Sequence, residues 1–299
     1  MIPQTIRSEA AAPVWPAILQ VVCGVILFSM SDTMAKYLRE ADLPAVEIAW
    51  LRYTVFVLMG VVLAGRRRFA GLSPRRPSLQ VLRGLTLLGS SVFFIGGLGA
   101  LPLAEAAAIS FVSPAFITAL SVPLLREQVG IHRWAATLVG LLGVLVVIRP
   151  NGSALQWAAL YPLSSAACWA VAMIVTRLIG ASDRSETTLV WSATVGLAVL
   201  TLLVPFAFRT PTPVELGLGL CLGAFASSGQ YLLILAYRRA TASVLAPFSY
   251  IQLLSSAALG YVVFGALPDA MAFLGAAIII ASGLYIVHRE RTRARQARA

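Results

Sequence analysis

The sequence predicts an all-α integral membrane protein: ten transmembrane helices in an inverted five-plus-five repeat, with both termini cytoplasmic. Three observations carry that expectation. Of 299 residues, 59% are apolar and only 12% charged, with a mean hydropathy of +0.85; soluble domains hold about 45–50% and about 25%. The apolar residues fall into ten long runs, and the basic residues between those runs lie mostly on one side. The same numbers exclude a disordered chain, which needs low hydrophobicity. They also exclude a disulfide scaffold, since the chain has three cysteines.

A bilayer core about 30 Å thick takes roughly 20 apolar residues at about 1.5 Å each. The first span, 15–38, closes before Asp42-Leu43-Pro44, and the second, 44–64, ends at Arg66-Arg67-Arg68. The third, 79–100, follows Ser73-Pro74-Arg75-Arg76-Pro77, and the fourth, 105–125, follows Leu101-Pro102. The fifth, 134–149, is the shortest and stops at Arg149-Pro150-Asn151-Gly152. The sixth and seventh cover 155–178 and 187–208. Thr210-Pro211-Thr212-Pro213 introduces the eighth, 214–237; the ninth covers 242–264, and Leu267-Pro268-Asp269 opens the tenth, 269–288. Proline and glycine clusters are the expected breaks between such runs. The runs are continuous rather than alternating, which favours helices over a barrel. Residues 1–14 and 289–299 are polar tails, and no cleavable leader is expected.

With the N-terminus inside, cytoplasmic segments hold eighteen of the 23 Lys and Arg residues, including Arg75, Arg76, Arg83 and Arg289 to Arg298. The other face keeps Lys36, Arg39, Arg149 and Arg209, and Arg52 lies within a span. The positive-inside rule then puts both termini in the cytoplasm of a cytoplasmic (inner) membrane protein. The net charge of +11 is a topology signal, with an anionic-lipid contact at the tail, and no nucleic-acid partner is expected.

The halves echo each other. Lys36 and Trp50 stand fourteen positions apart, as do Arg177 and Trp191. Ser110 precedes Pro114 by four residues, as Ser243 precedes Pro247. Each half closes on a small-residue helix, around Gly140 and Gly143 or Gly275 and Gly283. Five spans is an odd number, so the second half enters from the opposite side, as in transporters built from inverted repeats. The expected units are residues 15–149 and 155–288.

Pro44-Ala45-Val46-Glu47-Ile48-Ala49-Trp50-Leu51-Arg52 resembles the second-helix motif of EamA-type transporters in the drug/metabolite transporter superfamily. Leu101-Pro102-Leu103-Ala104-Glu105-Ala106 with Ser113-Pro114 is similar to their third-to-fourth junction. Arg126-Glu127 with Arg133-Trp134, Ala246-Pro247-Phe248-Ser249-Tyr250 and Phe264-Gly265-Ala266-Leu267-Pro268-Asp269 resemble further junctions. The resemblance implies ten helices, a central cavity and movement of small metabolites, often amino-acid export. It departs at Ala266, where the family often has Glu, so that acid's role is not carried over.

Ionisable groups inside spans are costly and default to functional candidates. Asp32, Glu47 and Arg52 qualify, with Asp32 and Arg52 at similar depth on adjacent helices. Lys36, one turn from Asp32, can reach either acid. Such a cluster either ties helices one and two together or serves as an outer gate or coupling site. The equivalent positions in the second half are Met173, Thr188 and Ala193, so the repeat itself does not demand it. Pro114 and Pro247 each remove a backbone hydrogen bond beside Ser110 and Ser243, which makes a kink, a hinge or cavity lining. Phe28, Phe94, Trp169, Gln230, Tyr231 and Tyr250, with Gln252 nearby, either pack the bundle or line an apolar pocket with a few polar groups.

The chain has no P-loop, metal-like cysteine spacing or convergent catalytic set, so neither a cofactor nor enzymatic activity is expected. The expected function is alternating-access export of small metabolites, foremost neutral or aromatic amino acids, by a monomer in contact with membrane lipids. Efflux of drugs, cations or nucleosides by the same fold is the alternative; an integral-membrane enzyme is the remote one.

Overall fold

The computed structural model describes residues 15–65, 73–126, 129–148, 157–179, 182–183, 185–239, 245 and 248–296. Among them the apolar runs are helices and no strand forms. Helix α1 (Trp15–Glu40) turns into α2 (Ala45–Gly65) through Asp42, at a left-handed φ of 61°. Helix α3 (Pro77–Leu98) starts on a proline, where the missing N–H has no intrahelical partner to lose. The fourth span is two pieces, α4 (Leu103–Ser110) and α5 (Ser113–Leu125). Then follow α6 (Ile131–Ile148), α7 (Leu160–Ile179), α8 (Ser185–Leu203), α9 (Pro213–Arg239), α10 (Ile251–Phe264) and α11 (Ala270–Gln296).

Seven spans, with α4 and α5 counted as one, are long and apolar enough to cross a membrane, and three shorter apolar helices make up the ten. The protein is a multi-pass, all-helical protein of the cytoplasmic membrane. The tenth helix runs to Gln296, past the expected end at 288, because arginine and alanine continue a helix readily in water.

The packing is two-fold related. Helix α1 packs along α9, and α7, its counterpart in the second half, packs along α3. Helix α2 packs on α9 as α8 packs on α3, and α1 on α10 as α7 on α5. The self-paired contacts α2–α8, α6–α11 and α4–α10 lie between the halves. Apolar lipid gives helices no hydrophobic reason to associate, so small residues must let backbones approach. At the α6–α11 crossing, a Cβ on Gly275 would lie 2.6 Å from the Gly143 carbonyl oxygen. At the α1–α9 crossing, a Cβ on Gly229 would lie 2.8 Å from the Gly24 carbonyl. The matching α3–α7 crossing uses serines: Ser165 Oγ donates to the Ser90 carbonyl at 2.8 Å. The largest core cluster joins the two halves: Leu38, Leu43, Ile48, Leu98, Leu101 and Leu103 of the first are fully buried together with Leu200 and Leu222 of the second.

Candidate functional site

The site is built where a broken helix meets the start of α10. Span four breaks because Pro114 cannot donate to the carbonyl one turn back. Phe111 and Val112 form a turn there, with Val112 N–H donating to the Ile109 carbonyl and Ala115 N–H to the Val112 carbonyl. Tyr250 lies in a turn just before α10 and stacks on Phe111, with ring centroids 5.4 Å apart and planes at 29°. Its hydroxyl lies against Gly283 of α11, where any side chain would displace it. Together Phe111, Pro114, Thr137, Tyr250, Ser282 and Gly283 line a narrow crevice of about 20 Å³. Irregular backbone at membrane depth is tolerated only where protein or a cavity satisfies it.

Two residues beyond Tyr250, Gln252 hydrogen-bonds the buried Asp32 carboxylate. Arg52 Nη1 lies 3.8 Å from Asp32 Oδ1, so the expected pairing of α1 with α2 forms. Beside it, Ser29 Oγ lies 2.6 Å from Ser255 Oγ and 3.2 Å from Ser256 Oγ, joining α1 to α10.

The rest of the expected charge cluster separates. Lys36 pairs with neither Asp32 nor Glu47. Its Nζ lies 2.9 Å from Glu40 Oε1 and donates to the Leu98 and Leu101 carbonyls at 3.2 Å each, with the Phe264 ring centroid at 5.3 Å. The physical reason is the partial negative charge of unpaired carbonyls at the C-terminal end of α3, which draws the ammonium outward along its flexible stem. Glu47 turns instead to the loop before α9, accepting from the Arg209 backbone N–H at 3.1 Å. The Arg209 guanidinium in turn binds Glu215 and the Ala41 carbonyl.

At the cytoplasmic end, Arg83, within the expected third span and counted on its cytoplasmic side, is buried in a polar cluster. It is 8% exposed, six residues inside α3. Its Nε donates to Thr176 Oγ1 at 2.7 Å and its Nη1 to Ser192 Oγ. The signal was present, since Arg83 follows the helix-starting Pro77 by six positions. One turn earlier, Gln80 Nε2 donates to Asp183 Oδ2 at 2.9 Å and Thr188 Oγ1 at 3.0 Å. That bond, and next the Arg75 backbone N–H, hold the loop carboxyl of Asp183 below its ordinary range.

The other expected residues scatter. Trp169 is 36% exposed on α7. Phe94 packs on the main core, and Phe28 lies against Gly229. Gln230 and Tyr231 are half-buried on α9, while Ser110 Oγ donates within its own helix to the Ala106 carbonyl at 2.9 Å. Pro247 lies outside the described residues. Of the expected lining, the crevice gathers Pro114 and Tyr250. It adds Phe111 and Thr137, which only the third dimension brings together.

A two-fold-related, ten-span bundle with a broken helix beside a buried polar group is the architecture of a secondary transporter. The chain belongs to the EamA-like transporter family, whose sequence pattern matches residues 15–149 and 156–288. It is 30% identical over 301 residues to a riboflavin transporter of Rhizobium johnstonii, covering 98% of this chain and 97% of that one. It is 31% identical over 271 residues to an S-adenosylmethionine uptake transporter of Rickettsia bellii, covering 90% and 92%. A crystal structure superposes with a TM-score of 0.67 at 20% identity, covering 92% of this chain and 98% of that one, which shows the shared fold.

Proposed function

We propose that this transporter moves a small, neutral metabolite carrying a flat heteroaromatic ring, of the riboflavin kind. The observation that carries the reading is the stacked Phe111–Tyr250 pair at the break in span four, beside a narrow crevice of about 20 Å³ that must widen to admit cargo. An exposed aromatic face favours a further flat ring in an offset stack. Asp32, which alone would favour a cation, lies 3.8 Å from Arg52, so the polar patch is close to neutral overall. That argues against an obligate cation such as S-adenosylmethionine and equally against an anion. The aromatic amino acids expected from the sequence share the ring but not the extended heterocycle.

The halves, residues 15–149 and 155–288, are proposed to rock about this site, with net direction set by the gradient. Lys36 ties the outer ends of α1, α3 and α10. Their counterparts α7 and α9 make no extended contact among the described residues. The conformation therefore reads as closed outside, with Lys36 as the outer latch. Purified protein in proteoliposomes tests the cargo against labelled riboflavin, S-adenosylmethionine and tryptophan. Riboflavin flux well above protein-free vesicles is expected. Flux at background for riboflavin, alongside transport of either other solute, refutes the reading.

A further inference from the structure

At the cytoplasmic end a buried cation of the first half holds two helices of the second. Arg83, on α3, donates from Nε to Thr176 Oγ1 of α7 at 2.7 Å. From Nη1 it donates to Ser192 Oγ and to the Thr188 carbonyl of α8, the latter at 3.4 Å. All three acceptors are uncharged. Both hydroxyls already place their own protons elsewhere: Thr176 Oγ1 donates to the Ala172 carbonyl and Ser192 Oγ to the Thr188 carbonyl, at 2.7 Å each. That back-bond is the ordinary way a hydroxyl is satisfied inside a helix. Arg83 therefore takes only their lone pairs, and neither hydroxyl loses its own bond when the guanidinium withdraws. Arg83 lies six residues beyond Pro77, about 9 Å from the cytoplasmic end of α3. Its flexible stem can carry the charge from there to water.

Behind Arg83 the helices touch. A Cβ on Gly84 would lie 2.8 Å from Val195 Cβ of α8, and one on Gly89 would lie 3.1 Å from Cys168 Sγ of α7. Cys168, Ala172 and Thr176 follow at four-residue steps, so they share the stripe of α7 that faces α3. Ala172, between the residue against Gly89 and the one that binds Arg83, is fully buried.

We propose that Arg83 is the inner latch of the transporter: it holds α7 and α8 against α3 while the cytoplasmic side is closed, and passes to water when that side opens. The inference rests on the proposed rocking of the halves and deepens it. Lys36 has the corresponding place outside, so with both cations engaged the structure is the occluded stage of the cycle. A crevice of only about 20 Å³ agrees with that stage.

The test makes Ala172→Cys the single cysteine, with alanine in place of Cys23, Cys168 and Cys221. Inside-out membrane vesicles present the cytoplasmic face to a membrane-impermeant maleimide. With Arg83 present the thiol should be protected. Arg83→Met keeps an apolar stem and should label about three- to thirtyfold faster, the worth of one or two net hydrogen bonds in the balance of closed and open. Thr176→Val/Ser192→Ala removes acceptors from the other side of the seam and should label as fast; adding Arg83→Met to it should change nothing further. Arg83→Lys should fall between. Ala35→Cys, buried at the outer end, should stay protected from outside in Arg83→Met, which separates an opened inner end from general loosening. Unchanged protection of Ala172→Cys in Arg83→Met or in Thr176→Val/Ser192→Ala overturns the latch. So do additive effects in the combined variant, or faster outside labelling of Ala35→Cys. Labelling reads the seam without cargo, so absent riboflavin flux overturns the cargo reading alone, and a failed latch leaves that reading standing.

Discussion

Replacing Lys36 with Met should open the outer end of the bundle. The ammonium makes two hydrogen bonds of 3.2 Å to the Leu98 and Leu101 carbonyls, and the residue is 7% exposed. Charged hydrogen bonds are worth about 1.5–3 kcal/mol each, but desolvating the ammonium offsets a large part. The pair with half-exposed Glu40 adds less than about 1 kcal/mol. Those bonds lie within the first half and travel with it; the contact that crosses to the second half is the Phe264 ring, 5.3 Å from Nζ, worth about 0.5–2 kcal/mol, a shift of roughly 2- to 30-fold in the ratio of closed to open. Methionine preserves the apolar stem, so the change isolates the latch from the packing. The assay labels Ala35→Cys, fully buried at the outer end, with a membrane-impermeant maleimide added to intact cells. Cys23, Cys168 and Cys221 are first replaced by alanine. The single cysteine should be protected with Lys36 present and labelled many-fold faster in Lys36→Met. Equal labelling with and without Lys36 refutes the latch.

Asp32→Asn leaves Arg52 without its counter-charge, and breaking a buried pair costs about 3–5 kcal/mol, less here because the Arg52 side chain keeps 16% exposure. A fall of several degrees in melting temperature and at least tenfold slower flux are expected, with partial recovery of stability in Asp32→Asn/Arg52→Gln; a single variant as stable as wild type refutes the pairing. Gly275→Val puts a Cβ within 2.6 Å of the Gly143 carbonyl oxygen and should destabilise the α6–α11 crossing by about 1–3 kcal/mol, seen as a lower melting temperature in detergent. An unchanged melting temperature would show that the crossing is not tight. Asp183 has a folded pKa below its ordinary 3.8, so its stabilisation is fully present above that value and is lost as the pH falls through the folded pKa. Wild type should therefore outlast Asp183→Asn in thermal melts near neutral pH, with the gap closing below about pH 3.8; a gap that does not narrow in acid contradicts the assignment.

The spans and the repeat were legible because lipid imposes them. Proline clusters and most arginines fall between apolar runs, and that spacing survives in the sequence at Leu101-Pro102 and Leu267-Pro268. The facing of each helix was not legible. In a soluble protein the apolar stripe points inward, but here core and lipid are both apolar, so an apolar run alone does not say which of its faces packs. The fate of Lys36 was hidden for a related reason. Its partners are backbone carbonyls of α3, which carry no sequence signature, whereas Asp32 with Arg52 offered opposite charges at matched depth.

The placement of charge within the two halves bears on how they can move. Asp32, Arg52, Lys36 and Arg83 all belong to the first half, and within the membrane they meet neutral groups of the second: Gln252, the Phe264 ring, Thr176 and Ser192. The ion pair between Asp32 and Arg52 lies on α1 and α2, inside one half, and travels as a unit. Parting a charge from a neutral partner costs about 1.5–3 kcal/mol, whereas parting a buried ion pair costs about 3–5 kcal/mol and strands both charges. Across the halves Glu47 accepts from the Arg209 backbone N–H, while the Arg209 guanidinium pairs with Glu215 of its own half and binds the Ala41 carbonyl. A bundle that must break its inter-half contacts on every cycle is better served by this division than by ion pairs across the seam. Under the proposed rocking of the halves, this asymmetry between two otherwise matching repeats lowers the cost of parting them.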